Sequence, residues 1–158
     1  MGTLYICPTP IGNLDDVSKR LIDVLSNVNL IYCEDTRRAK ILLNHLGIKT
    51  EIESYFIGNE LSKIEDIKNQ LGNNLNIALI SDAGTPLISD PGNKLVKNLI
   101  MEGFNVESIP GPSSVLVALT LSGFDISNFQ FLGFIPKSGK EKNKFLIKLL
   151  NAQMPSVC

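Results

Sequence analysis

Short apolar runs alternate along the chain with stretches in which apolar positions return every three or four residues. TLYIC (3–7), LIYC (30–33) and NIALIS (76–81) read as buried strands, the last apolar on both faces as a central parallel strand is. EIESYF (51–56) alternates and reads as an edge strand, and NVESI (105–109) as a fifth strand. Between them lie helical stripes. Val17, Leu21, Val24, Leu25 and Val28 form the first, with Asp15 or Asp16 expected as its N-cap. Ile41, Leu42 and Leu46 follow a cap at Asp35 or Thr36 and stop at Gly47. Leu61, Ile64, Ile67 and Leu71 close at Gly72, and Leu95, Val96, Leu99 and Ile100 end at Gly103. SSVLVALTLSG (113–123) reads as an apolar helix with serine caps. FQFLGFIP (129–136) and MPSVC (154–158) look like strands on either side of a basic amphipathic helix, KSGKEKNKFLIKLL (137–150). Strand–helix alternation with short loops predicts an α/β fold, a mainly parallel open sheet with helices on both faces. The expected organisation is an N-terminal α/β domain over 1–122, then a linker and the truncated start of a second domain over 123–158.

Composition narrows the picture. The chain has 158 residues, is 44% hydrophobic and 20% charged, and carries a net charge of −1. No global field draws it to nucleic acid or membrane, so RNA binding would need local basic patches. No apolar run is long enough to span a bilayer, and the N-terminus lacks the charged and apolar regions of a signal peptide. Cys7, Cys33 and Cys158 show no paired spacing, which fits small apolar residues in a reducing cytoplasm rather than a metal or disulfide site.

The candidate chemistry lies in the loops. PTPIGNLDD (8–16), CEDTRR (33–38), SDAGTPLISDPG (81–92) and PGPSS (110–114) each follow a predicted strand and precede a predicted helix. In a parallel sheet such loops emerge at the carboxyl edge, where open α/β sheets bind ligands. Gly12, Gly84, Gly92 and Gly111 allow close approach to the backbone, and the prolines reduce loop entropy. For any single loop, turn punctuation explains Gly and Pro equally well; four at one edge favour a site. Neither G-x-G-x-x-G nor G-x-x-x-x-G-K-[ST] occurs. Glu34 and Asp35 end the second strand where a Rossmann unit would place a ribose-binding acid.

LYICPTPIGNLDD, CEDTRRAKILLNHLGI, ALISDAGTPLISDPG, IPGPSS and FLGFIPK occur in this order. In these motifs the chain resembles a bacterial family, the ribosomal RNA small subunit methyltransferases I, ribose 2′-O-methyltransferases of the tetrapyrrole methylase superfamily. The likeness runs from about position 3 to about position 148. It implies S-adenosyl-L-methionine as methyl donor, a cytidine ribose in the decoding region of 16S rRNA as acceptor, and a homodimer with two α/β domains per subunit. It also implies cofactor contacts at Pro10, Ile11, Gly12, Asp82, Ala83, Gly84, Thr85, Leu87, Ile88, Ser113 and Ser114. Family members carry a complete second domain, so a fragment or a shortened gene product is expected here. This superfamily does not place its cofactor ribose on the acid after the second strand, which moves Glu34 and Asp35 to the substrate side.

Transfer of a methyl from a sulfonium to a hydroxyl requires alignment and a base or stabilising cation, but no metal. Asp16, Glu34, Asp35 and Asp82 are candidate bases, with helix capping the better role for Asp16. Glu34 and Asp35 are expected to orient the acceptor ribose as the catalytic pair. Arg37, Arg38 and Lys40 form a basic cluster read as an RNA phosphate contact, against the alternative of a solvated first turn. Lys137, Lys140, Lys142, Lys144 and Lys148 are a second basic strip, equally readable as a solvated linker. His45 reads as a surface residue near a helix C-terminus. Phe129, Phe131, Phe134, Tyr55 and Phe56 could stack bases, but packing on the sheet is the expected role. The rival functions are a tetrapyrrole or other small-molecule methylase, and an inactive fragment that only dimerises or binds RNA.

Overall fold

The computed structural model describes residues 1–158, which divide into two compact units, Met1–Pro112 and Ser113–Cys158. The first unit contains β1 (Thr3–Cys7), α1 (Lys19–Asn27), β2 (Leu30–Cys33), α2 (Thr36–His45), β3 (Ile52–Ser54), α3 (Glu60–Gly72), β4 (Ile77–Ile80), α4 (Asn93–Met101) and β5 (Asn105–Ser108). Its five strands form one parallel sheet in the order β3-β2-β4-β1-β5, with Leu4 opposite Ile77 and Ile31 opposite Ala78. The predicted α/β class and parallel sheet are what the chain forms.

Alternation along the strands sorts the core into two layers. Cys7, Ile31, Cys33, Ala78 and Ile80 face α1 and α2 through Leu21, Leu25, Ala39 and Leu43. Leu4, Ile6, Tyr32, Ile77 and Leu79 face α3 and α4 through Ile64, Ile67, Leu71, Leu95 and Leu99. All four residues of β4 are buried, as its unbroken apolar run predicts. Each fully buried aliphatic side chain contributes about 1.5–3 kcal/mol of transfer free energy. Cys7 and Cys33 are free and buried, and burial pushes their thiols up to about 12 and about 11.

Several local expectations need correction. Ser18, not Asp15 or Asp16, caps α1: its hydroxyl accepts from the Leu21 amide at 3.0 Å. Asp16 is instead held in the preceding turn, its N–H donating to the Asn13 carbonyl at 3.1 Å. Leu61 is 70% exposed, and the position buried in its place is Glu60. Gly72 does close α3, as its last residue, and the chain reverses at Asn74, with φ 64°.

The second unit holds α5 (Ser114–Leu121), β6 (Gln130–Phe131), α6 (Gly139–Leu150) and β7 (Ser156–Val157), with β6 and β7 paired in parallel. The division at Pro112 puts α5, expected to close the first domain, with this unit, where it touches β7. Phe129, Phe131 and Phe134 are exposed rather than packed on the sheet, because the two short strands offer too little surface to cover them.

Candidate functional site

The strand order decides where a ligand can sit. The chain leaves β1 through α1 on one face and travels towards β2. It leaves β4 through α4 on the other face and travels towards β5. Neighbouring strands thus send their connections to opposite faces and opposite edges, which opens a crevice beyond their carboxyl ends. The loops predicted to carry the chemistry border that crevice.

They are stitched together. Thr9 and Gly84 form an antiparallel bridge, each amide donating to the other's carbonyl at 2.9 Å. The Thr9 hydroxyl donates to the Ser81 carbonyl at 3.0 Å, and the Ser81 hydroxyl to the Gly84 carbonyl at 2.8 Å. The Thr85 hydroxyl donates to the Pro112 carbonyl at 2.9 Å, tying in the loop after β5. The Asp35 amide donates to Asp82 Oδ1 at 3.1 Å, tying in the loop after β2. Gly84 adopts φ 82°, and a side chain at Gly111 would strike Pro8, so both glycines are required by geometry. Gly12 is different: a Cβ there would meet nothing within 4 Å.

Between the first loop and α2 lies a cavity of about 190 Å³, with Pro10, Leu14, Leu42 and Ile80 as apolar lining and Arg38 and Asp82 as its charged groups. It is smaller than the ~300–1,000 Å³ of typical small-molecule sites, so it suits one ring of a ligand rather than a whole nucleoside derivative. Ile11 is half-buried and Ala83 exposed. Leu87 is held at φ 74°, a conformation costly for a branched side chain and of the kind found at ligand clamps. Ile88 is 53% exposed. Ser113 is the N-cap residue of α5 but makes no side-chain cap bond, and Ser114 is exposed at the first helical position.

The two acids after β2 behave differently. Asp35 caps α2, accepting from the Arg37 amide at 2.8 Å and gripping the Arg37 guanidinium at 3.0 and 2.7 Å. The Arg37 side chain and then its amide hold the Asp35 carboxyl down at about 2. Glu34 is pushed upward instead, first by partial desolvation and then by the negative charges of Asp82 and Asp90, with Arg38 offsetting some of this. Asp90 is raised as well, by burial and by Asp82. The expected catalytic pair therefore splits, and only Glu34 keeps a carboxyl without a bound partner.

The basic cluster also splits. Arg38 reaches Asp82 Oδ2 at 3.4 Å at the cavity, and Arg37 is 88% exposed beside Asp35. Lys40 lies two residues beyond Arg38, roughly 200° around the helix, and lines a separate hollow with Lys49, Thr50 and Glu51. It does not join the two arginines. His45 is a surface residue as expected, its Nε2 lying 2.9 Å from Asp15 Oδ1. Thr9, Ser81, Asp90 and Glu60 take part in or brace the rim, although nothing in the sequence pattern singles them out strongly. A threonine between two prolines, whose hydroxyl needs a partner, is the available signal for Thr9.

An Asp35→Asn variant tests the cap. A carboxyl lowered in the folded state stabilises the fold fully above its unfolded value of 3.8 and loses that contribution as pH falls towards about 2. Urea denaturation at a series of pH values should show the variant less stable than the parent at pH 7, the gap narrowing below about pH 4. A gap independent of pH would rule out the ionic cap.

Residues 3–155 match the sequence pattern of the tetrapyrrole (corrin/porphyrin) methylases. The chain belongs to that family. Among relatives of this chain, a ribosomal RNA small subunit methyltransferase I from Hydrogenobaculum sp. is 46% identical over 139 residues, covering 87% of this chain and 60% of the relative. Its namesake from Vibrio cholerae is 44% identical over 146 residues, covering 92% and 51%. The one from Thermotoga maritima is 44% identical over 149 residues, covering 94% and 67%. The chain thus spans about half to two thirds of these relatives' length. Its fold is shared with the crystal structure of uroporphyrin-III-C-methyltransferase from Thermus thermophilus, at TM-score 0.60 and 18% identity over 83% of this chain and 59% of that one. A precorrin-6Y methylase from Archaeoglobus fulgidus gives TM-score 0.55 and 23% identity over 83% and 62%. No helix is long and apolar enough to cross a membrane.

Proposed function

We propose that this chain is the cofactor-binding part of an S-adenosyl-L-methionine-dependent methyltransferase that modifies a cytidine ribose 2′-hydroxyl in the decoding region of 16S rRNA. The observation that carries the reading is the assembled rim: the loops after β1, β2, β4 and β5 are joined by hydrogen bonds around one crevice. The relatives named as rRNA small subunit methyltransferases, at 44–46% identity, support rRNA over a tetrapyrrole as substrate. A homodimer acting in the cytoplasm on the small ribosomal subunit completes the reading.

The residues present fit such a cofactor. Gly84 and Gly111 keep side chains out of the rim, and Pro10, Ile11, Thr85 and Leu87 provide a stiff, largely apolar wall. When bound, the cofactor supplies a methyl group already activated on a sulfonium. The protein's contribution is alignment of acceptor and donor and removal of the hydroxyl proton. Glu34, upward-shifted and unpaired, is placed to take that proton. Arg38, held by Asp82, is placed to meet a phosphate or the developing alkoxide, and Arg37 stays exposed for the RNA backbone.

The deciding experiment offers the protein labelled S-adenosyl-L-methionine with small ribosomal subunits, naked 16S rRNA and a precorrin in parallel. Label on a cytidine 2′-oxygen supports the reading; label on the precorrin alone replaces it with the tetrapyrrole alternative; no transfer and no cofactor binding leaves the non-catalytic fragment. In the same system, replacing Arg37 and Arg38 by Ala should weaken rRNA binding and flatten the log–log salt dependence by about one unit for each phosphate no longer neutralised. An unchanged slope would exclude phosphate binding by these side chains.

A further inference from the structure

We propose that Glu60 is a positioning residue that holds the C-terminal half of the 81–92 loop in the shape that receives the cofactor, a role that rests on the function proposed above. Glu60 is the first residue of α3 and only 7% exposed. Its Oε1 accepts from the Gly92 amide at 2.9 Å and from the Tyr55 hydroxyl at 3.3 Å, and its Oε2 lies 3.9 Å from Lys94 Nζ. One carboxyl group therefore joins three elements. Tyr55 continues β3, its amide donating to the Cys33 carbonyl at 2.8 Å, while Gly92 caps α4. The acid stands at the amino end of both α3 and α4, where two helix dipoles offset its removal from water.

Gly92 is also where the loop's strain ends. Leu87 stands at φ 74° and Gly92 at φ 123°, and the Leu87 side chain covers Gly92 so closely that a Cβ there would lie 2.5 Å from it. The near half of the loop is fixed by the Thr9–Gly84 bridge and the Thr85–Pro112 bond. The far half has two side-chain anchors: Asn93 Nδ2 to the Leu87 carbonyl at 3.0 Å, which is exposed, and Glu60 to Gly92, which is buried. Strained conformations persist only where the surrounding structure over-determines them. An apolar residue at position 60 would fill the space but orphan the Gly92 amide. Gln would keep an acceptor for it.

The test compares the parent chain with Glu60→Ala and Glu60→Gln, by amide hydrogen exchange and by calorimetric titration with S-adenosyl-L-methionine. In Glu60→Ala the Gly92 amide, and with it those of residues 87–90, should exchange roughly 10-fold faster or more, the equivalent of one buried bond to a charged group, with the β1, β2 and β4 amides unchanged. The cofactor dissociation constant should rise by a similar factor, and Glu60→Gln should restore both within about 3-fold. Unchanged exchange at 86–92 in Glu60→Ala, acceleration spread over the whole sheet, or a loosened loop with unaltered cofactor affinity would each overturn the proposal. If the parent binds no cofactor, exchange confined to 86–92 and rescued by Gln upholds the bracing by Glu60 while the function proposed above fails.

Discussion

Replacing Gly92 by Ala should cost about 2–5 kcal/mol of stability, the sum of a strained backbone and an overpacked core position. The new methyl would lie 2.5 Å from Leu87 Cδ2 and 2.9 Å from Leu79 Cδ2, at a φ of 123° that L residues rarely adopt. Leu79 belongs to the sheet core, so one neighbour cannot retreat without opening a void. Leu87 can move only by leaving the rim. The loss is a large share of the ~5–15 kcal/mol that stabilises a typical domain, so the denaturation midpoint should fall visibly and cofactor affinity with it. Gly12→Ala is the control. With nothing within 4 Å of its Cβ, it should stay within about 0.5 kcal/mol of the parent. Equal stability of the two variants would show that the 81–92 loop is not held as described.

On the function proposed above, Glu34→Gln should lower kcat for rRNA methylation by about 10²–10⁴-fold, the usual contribution of a positioned general base, with little change in the KM for cofactor. The sign of its pH dependence follows from the upward shift. A carboxyl raised above its ordinary 4.5 accepts a proton only once pH exceeds that raised value. The acidic limb of the parent's kcat profile should therefore sit above the normal glutamate range and vanish in Glu34→Gln. Asp35→Asn should leave that limb in place, because the Asp35 carboxyl is committed to Arg37 and the start of α2. Undiminished turnover in Glu34→Gln would remove Glu34 from the reaction.

The strands were legible because burial writes itself into composition: Ile77–Ile80 has no polar residue, and β4 is covered on both faces. That the loops share one edge was legible too, since parallel strands leave no other place for them. The hydrogen bonds between loops were not. The Thr9–Gly84 bridge depends on β4 lying beside β1, and nothing in either segment announces its neighbour. The α1 cap was misplaced because Asp15 and Asp16 are spent in a turn that precedes Ser18. Glu60 was missed for a similar reason. Helical spacing favours Leu61 on the buried stripe, and burying an acid makes sense only with Tyr55 and the distant Gly92 in view. The contrast between Glu34 and Asp35 rests on which neighbours each carboxyl meets, which adjacency in the chain conceals.

The bridge between Thr9 and Gly84 has a kinetic corollary. It joins residues that are neighbours only after β1 and β4 have found register, Leu4 against Ile77, across a long intervening stretch of chain. Such distant pairings close slowly, because chain entropy is surrendered before packing repays it. The crevice then cannot form before the sheet does, and a nascent chain with only its local helices formed has nothing for a ligand to grasp. Occupancy would select finished molecules over unfinished ones and raise the melting temperature by mass action.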